Sequence, residues 1–218
     1  MRSKYSIITS FFLALTALCA PPQPGDADWF PIMAWGTNQH LRPANEPLTA
    51  ERFREMADAG ITIAGFALDR AELDMIHEAG LVAYYQDWNI TSQPWTNVDP
   101  ATFPALAQRC VEQINDHPAL YGYMIGDEPN AAMLPNQSAM YRQLHQLAPD
   151  KDLYVNLLPN YAADHIGTPT YREYLERFVA MYQPKWFSYD FYGLLEGGTG
   201  IERPGFWSNL TDARAVSL

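Results

Sequence analysis

The sequence predicts an α/β fold of the (β/α)8 TIM-barrel type, present as about six β-α units. Three observations carry this expectation. Apolar runs alternate with amphipathic stretches from residue 29 onward. The apolar runs are continuous, as in strands buried on both faces of a helix-covered parallel sheet. Polar and aromatic residues gather at the C-terminal ends of several runs, the end where such a barrel builds its site. An open doubly wound sheet shows the same alternation, but the segment after the first run, MAWGTNQH, lacks a glycine-rich phosphate turn.

The first expected strand is WFPIMAWG, 29–36. Leu48, Phe53, Met56 and Ala57 then form a helical stripe, with Thr49 as N-cap and Gly60 as the stop. A second strand spans 61–67, a helix 69–80 ends at Gly80, and a third strand spans 81–87. Ala59-Gly60-Ile61 and Ala79-Gly80-Leu81 are the same device, each ending a helix and opening a buried strand. After a loop at 88–99 come a helix at 100–116, a strand at 120–129 and a helix at 136–148. A strand at 153–160, a helix at 170–182 and a strand at 186–193 follow. The segment GFWSNLTDARAVSL begins a further helix.

Five such units, from residue 29 to residue 186, average about 31 residues, so eight units need about 250. At that repeat the 218 residues fall roughly two units short, and the seventh and eighth strands are expected to be missing.

Residues 1–20 (MRSKYSIITSFFLALTALCA) have a basic start, an apolar stretch too short for a membrane span, and small residues and prolines after it. This is the layout of an export signal, ended by cleavage near Ala20 or by lipidation of Cys19. Residues 21–28 are a linker and 29–218 the partial barrel. The expected location is periplasmic, cell-surface or extracellular. The net charge of −11 becomes −13 when Arg2 and Lys4 leave with the leader. Such an acidic chain has no electrostatic footprint for nucleic acid. Two cysteines exclude a disulfide scaffold, and Cys110, in an apolar helical stripe, reads as a small core residue. His40, His77, His117, His145 and His165 show no metal-ligand spacing, and no cofactor is expected.

The strongest chemical signal is Gly126-Asp127-Glu128-Pro129 at the end of the fourth expected strand. Adjacent strand residues point to opposite faces, so one carboxylate is expected to face the mouth and the other to brace the loop. Pro129 biases Glu128 toward extended backbone. The bland alternative is a solvated loop glutamate in an ion pair. Trp35, Asp87, Asn156, Tyr189, Asp190 and Tyr192 also fall at strand ends. Indole and phenol rings there suit the flat C–H faces of a sugar, and their polar neighbours suit its hydroxyls.

The phrase from His117 to Pro129 (HPALYGYMIGDEP) resembles the fourth strand of the clan A glycoside hydrolases, most closely the group related to the family 42 β-galactosidases. Trp29–Gly36 and Trp186–Gly193 are similar to the same group. The resemblance implies a hydrolase of O-glycosidic bonds in oligo- or polysaccharides, with Glu128 as general acid/base. Asp127 stands where the clan has an asparagine that binds the sugar 2-hydroxyl. The clan's nucleophile sits on the seventh strand, so it is expected outside this chain. Two carboxyls about 5–5.5 Å apart would serve retention, and a pair such as Glu128 with Asp190 at about 6.5–9.5 Å would serve inversion. A carbohydrate-binding relative without catalysis, or an unrelated β/α lyase or deacetylase, are the competing readings.

A barrel interrupted after six strands leaves open edges and exposed apolar faces. The chain of residues 21–218 is therefore expected to self-associate in size-exclusion chromatography. A monodisperse monomer with one cooperative melt would contradict that expectation.

Overall fold

The computed structural model describes residues 23–27, 29–35, 48–194 and 203–217. The expected leader with Cys19, the first part of the linker, and His40 lie outside the described residues. Five strands are present among the described residues: β1 (Ile63–Ala67), β2 (Val82–Tyr85), β3 (Leu120–Asp127), β4 (Asp152–Leu157) and β5 (Ser188–Tyr189). All neighbours pair in parallel, in the order β1-β2-β3-β4-β5. A doubly wound sheet reverses strand order at a switch point; this one does not. The five strands form a curled half-barrel of the incomplete (β/α) TIM-barrel type.

The helices are α1 (Ala50–Asp58), α2 (Arg70–Glu78), α3 (Trp88–Thr91), α4 (Phe103–Ile114), α5 (Leu134–Leu147), α6 (Ala163–Ile166), α7 (Tyr171–Tyr182) and α8 (Phe206–Val216). The Thr49 hydroxyl accepts from the Arg52 amide and caps α1, as expected. Gly60 and Gly80 have φ of +85° and +75°, the left-handed geometry that lets each helix turn straight into a buried strand.

Two expected strands are shorter than the sequence suggests. Trp29–Trp35 contributes only a bridge between Met33 and Ile63. Pro31 has no N–H to give to a ladder. Thr62 also takes over local pairing, its hydroxyl donating to the Phe30 carbonyl and accepting from the Ile32 amide, both at 2.8 Å. At the other edge, the 186–193 run keeps only Ser188–Tyr189 as β5. The expected loop at 88–99 holds α3, started by Asp87 as N-cap.

The helix-facing core contains Phe53, Leu73, Ile76, Phe103, Ile114, Leu134 and Phe178, all at most 2% exposed. Cys110 lies among them, and burial, then the charge of Asp87, push its thiol up to about 12. The inner face of the half-barrel carries Phe66, Tyr84, Met124 and Tyr154. Tyr84 donates to Asp152 at 2.6 Å, and the Trp186 indole donates to the same carboxylate at 3.2 Å. Tyr154 is buried, whereas Trp186 is 41% exposed.

β3 and β4 approach so closely that a Cβ on Gly122 would overlap the Asp152 backbone. Gly122→Ala is expected to destabilise the chain by about 1–3 kcal/mol or more, read as a lower urea midpoint at unchanged slope.

Candidate active site

The site begins with a bulge. Between β3 and β4, Met124 pairs with Tyr154 and Gly126 with Val155, so β3 carries one extra residue. Met124 faces the inner side with Tyr154, and Ile125 faces the helix core. Gly126 faces the helices too, since a Cβ there would overlap the Gln137 side chain of α5. Two successive residues thus point outward, and strand parity flips. Asp127 is turned inward, where it accepts from the Asn156 amide of β4 at 3.1 Å.

Glu128 takes φ +46°, a left-handed conformation that a residue before proline rarely adopts. Its own N–H donates to the Asn156 carbonyl at 2.8 Å. Four further bonds seat the turn. Tyr174 of α7 donates to the Pro129 carbonyl at 2.6 Å. The Asn130 carboxamide oxygen accepts from the Ala132 and Met133 amides. The Ala131 amide donates to the Ile166 carbonyl at the end of α6.

Bulge and turn together overturn the expected division of labour between the two carboxylates. Asp127 and Glu128 both belong to the mouth, where the Glu128 carboxyl is in hydrogen-bond contact with Asp190. Asp190 follows β5 and gives its backbone N–H to Leu157 at 3.0 Å. Partial desolvation, then the Asp190 hydrogen bond and charge, then the charge of Asp127, raise Glu128 to about 7. Desolvation also raises Asp127, and the charge of Asp190 adds to it against the opposing bond from Asn156.

Below them runs a polar ladder across β4 and β5. Ser188 donates to the Asn156 Oδ1 at 3.0 Å and lies 3.0 Å from the Tyr154 hydroxyl. Asn156, 1% exposed, is therefore a buried hub beneath the carboxylates. Beside Glu128 opens a cleft of about 550 Å³, lined also by Asn130, Pro159, Tyr161, His165, Tyr192 and Arg203.

The expected site residues divide accordingly. Asp127, Glu128, Asn156 and Asp190 are brought together, with Tyr192, 63% exposed, on the cleft wall. Trp35 sits on the inner aromatic face, edge-on to Phe66 at 4.9 Å, with its ring 6.1 Å from Tyr154. Asp87 does not join them. It is 6% exposed, caps α3 through Asn89, and pairs with Arg109 at 3.2 Å. Tyr189 does not join them either, because strand alternation packs it with Phe187 against the helix-side core. Tyr161, His165, Ser188 and Arg203 are additions. The first two follow a strand end, so the rule that pointed to Asn156 could have reached them. Nothing in the local sequence marks Arg203. A groove of about 630 Å³ against Lys151, Asp152 and Lys185 lies at the opposite end of β4. Among the described residues, no group of three or more His, Cys, Asp or Glu is arranged to hold a metal ion, and no helix is long and apolar enough to cross a membrane.

No family model and no curated protein sequence matches the chain. Solved glycoside hydrolases are similar in fold. An endoglucanase from Pseudomonas stutzeri has 12% identity and a TM-score of 0.47, the match covering 76% of this chain and 77% of that one. A cold-adapted β-galactosidase from Rahnella has 11% identity and a TM-score of 0.48, covering 69% of this chain and 37% of that one. A protein from Bacteroides thetaiotaomicron described as an α-L-fucosidase has 9% identity and a TM-score of 0.50, covering 78% and 69%. At these identities the likeness is one of fold.

Because Glu128 is raised from an ordinary 4.5 to about 7, the folded chain holds its proton across that window. The stabilisation from this group is full below about pH 4.5 and is lost as pH rises through 7. A carboxyl carbon NMR titration is expected to place the Glu128 midpoint near 7, and Asp190→Asn to lower it. The melting temperature of the native chain relative to Glu128→Gln should fall between pH 5 and pH 8. An ordinary midpoint near 4.5 would remove the carboxyl contact.

Proposed function

We propose that the chain is the greater part of an exported glycoside hydrolase in which Glu128 is the general acid/base. The observation that carries this reading is a glutamic acid in strained backbone, at the C-terminal mouth of a β/α half-barrel and on the wall of an aromatic-lined cleft, where burial and the neighbouring Asp190 push it up to about 7. A general acid works best when its pKa lies near the working pH. In the reaction Glu128 gives its proton to the glycosidic oxygen as the bond to the anomeric carbon breaks. It later takes a proton from the incoming water.

The second carboxylate is constrained by the same geometry. Asp190 raises Glu128 through a hydrogen bond and through its charge, so the two act as a coupled pair and not as the separated carboxyls of a retaining or inverting mechanism. Asp190 serves as the proton partner of Glu128. On this reading the nucleophile comes from a further strand beyond residue 218, facing Glu128 across the mouth. Asp127, with Asn156 fixing its orientation, takes a sugar hydroxyl, while Trp35 and Tyr192 supply flat apolar surface. Kinship with the family 42-related group rests on the HPALYGYMIGDEP phrase, and export on the leader pattern at 1–20, with Cys19 a candidate for lipidation.

One observation favours a second reading, a carbohydrate-binding relative without catalysis: Asp190 is engaged with Glu128 instead of standing apart as the second carboxylate of an inverting pair. Activity on aryl glycosides decides between the two readings. In the protein expressed from the intact reading frame, Glu128→Gln is expected to lower kcat/KM by several orders of magnitude on glycosides with poor leaving groups. The loss should be much smaller with activated leaving groups, which need no proton. Activity within about tenfold of the parent on both substrates removes Glu128 from the role. Saccharide binding with no turnover in the parent supports the second reading.

A further inference from the structure

The cleft beside Glu128 has a cationic wall that the acid/base chemistry does not use. Arg203 lies over the Tyr161 ring, with its guanidinium carbon 4.1 Å from the ring centroid. Its Nε donates to the Tyr192 carbonyl at 3.0 Å, and its backbone N–H donates to Gly193 at 2.7 Å. The Tyr192 amide in turn donates to the Tyr161 hydroxyl at 3.3 Å. The guanidinium is therefore fixed from one face and one edge. Its two terminal nitrogens have no protein acceptor among the described residues, and no carboxylate there forms an ion pair with it. His165 lies on the same cleft wall, together with the Asn130 side chain.

This arrangement is unusual for the molecule that holds it. The chain carries 25 acidic residues against 14 lysines and arginines, so an arginine could readily have been neutralised. Among the described residues the fork's terminal nitrogens are left without an acceptor, while its Nε and one face are held by Tyr192 and Tyr161. A planar guanidinium whose two terminal nitrogens have no acceptor among the described residues matches a planar carboxylate in two parallel hydrogen bonds. Preorganisation by the Tyr161 face and the Tyr192 carbonyl cuts the ordering cost that a free arginine would pay.

We propose that Arg203, clamped on Tyr161, reads a carboxylate on the saccharide, so that the substrate class is a uronic-acid-containing oligo- or polysaccharide. This rests on the glycosidase reading of the same cleft and names the sugar chemistry within it. Asp127 and Asp190 repel an anionic sugar placed carelessly at the mouth. Arg203 thus sets orientation as well as affinity, since the carboxylate must lie on the Tyr161 side of the cleft.

The test compares acidic oligosaccharides with their carboxyl-reduced counterparts, which keep sugar and linkage but lose the charge. Oligoglucuronates and oligogalacturonates and their reduced forms are titrated calorimetrically, in about 150 mM salt, into the protein expressed from the intact reading frame. The acidic form of at least one series is expected to bind about tenfold or more tightly. Arg203→Gln should abolish that preference while retaining the parent's melting temperature, Arg203→Lys should restore only part of it, and Glu128→Gln should keep it. Equal binding of the acidic and reduced forms, or a preference that survives Arg203→Gln, overturns the proposal. If neutral glycosides are still hydrolysed, that result leaves the glycosidase reading standing. Absence of both saccharide binding and hydrolysis overturns the two together.

Discussion

The mouth of this half-barrel depends on how β3 ends against β4. The Asn156 carbonyl accepts the Glu128 amide, and the Asn156 side chain donates to Asp127. One residue at the end of a parallel strand thereby fixes two consecutive carboxylates. That is possible only because the extra residue in β3 turns Ile125 and Gly126 outward together, and Gly126 leaves room for Gln137. Gln137 is 1% exposed and accepts from Tyr182 of α7 at 2.8 Å. The outer helix layer and the inner carboxylates are thus parts of one packing solution, in which a methyl group at Gly126 would disturb both.

The carboxylates themselves make an electrostatic problem. Asp127, Glu128 and Asp190 converge on one rim of an already acidic chain, where mutual repulsion in a partly desolvated setting would be severe if all were ionised. Retaining a proton on Glu128 relieves it. In the proposed function the same proton goes to a glycosidic oxygen, so the crowding that raises the group would also prepare it for that role. The strained φ of Glu128 is held by bonds on both sides of it, to Asn156 before the proline and from Tyr174 after it.

Much of this could be read in the residues. The helices announced themselves through apolar period, Thr49, and the two Ala-Gly junctions, and Glu128 through its triplet at a strand end. The edges could not be read so well, because a continuous apolar run does not say whether a neighbouring strand will pair with it. Pro31 and Thr62 shortened one edge by local bonding. The bulge was hidden for a similar reason. Ile125 and Gly126 sit in an unbroken apolar stretch where parity leaves no trace, so the sequence implied a division between Asp127 and Glu128 that the fold does not keep. Asp87 and Tyr189 showed a different limit. Both stand at strand ends, yet one is consumed by a helix cap and an arginine, and the other by the helix-side core. Arg203 belongs to a segment without period or motif, and only folding brings it to Tyr161.

The turn carrying Glu128 is seated by β4, α6 and α7, while Tyr192 and Arg203 approach from the far side of the cleft on the segment after β5. In the proposed function, chemistry and recognition are consequently mounted on separate parts of the chain. Insertions or substitutions after Asp190 can remodel what the cleft accepts without moving the acid, whereas changes near Gly126, Gln137 or Tyr174 cannot be made singly. If it carries the proposed reaction, such a molecule would over evolutionary time diversify in diet while keeping that reaction, with drift concentrated on one wall and the other wall inherited nearly intact.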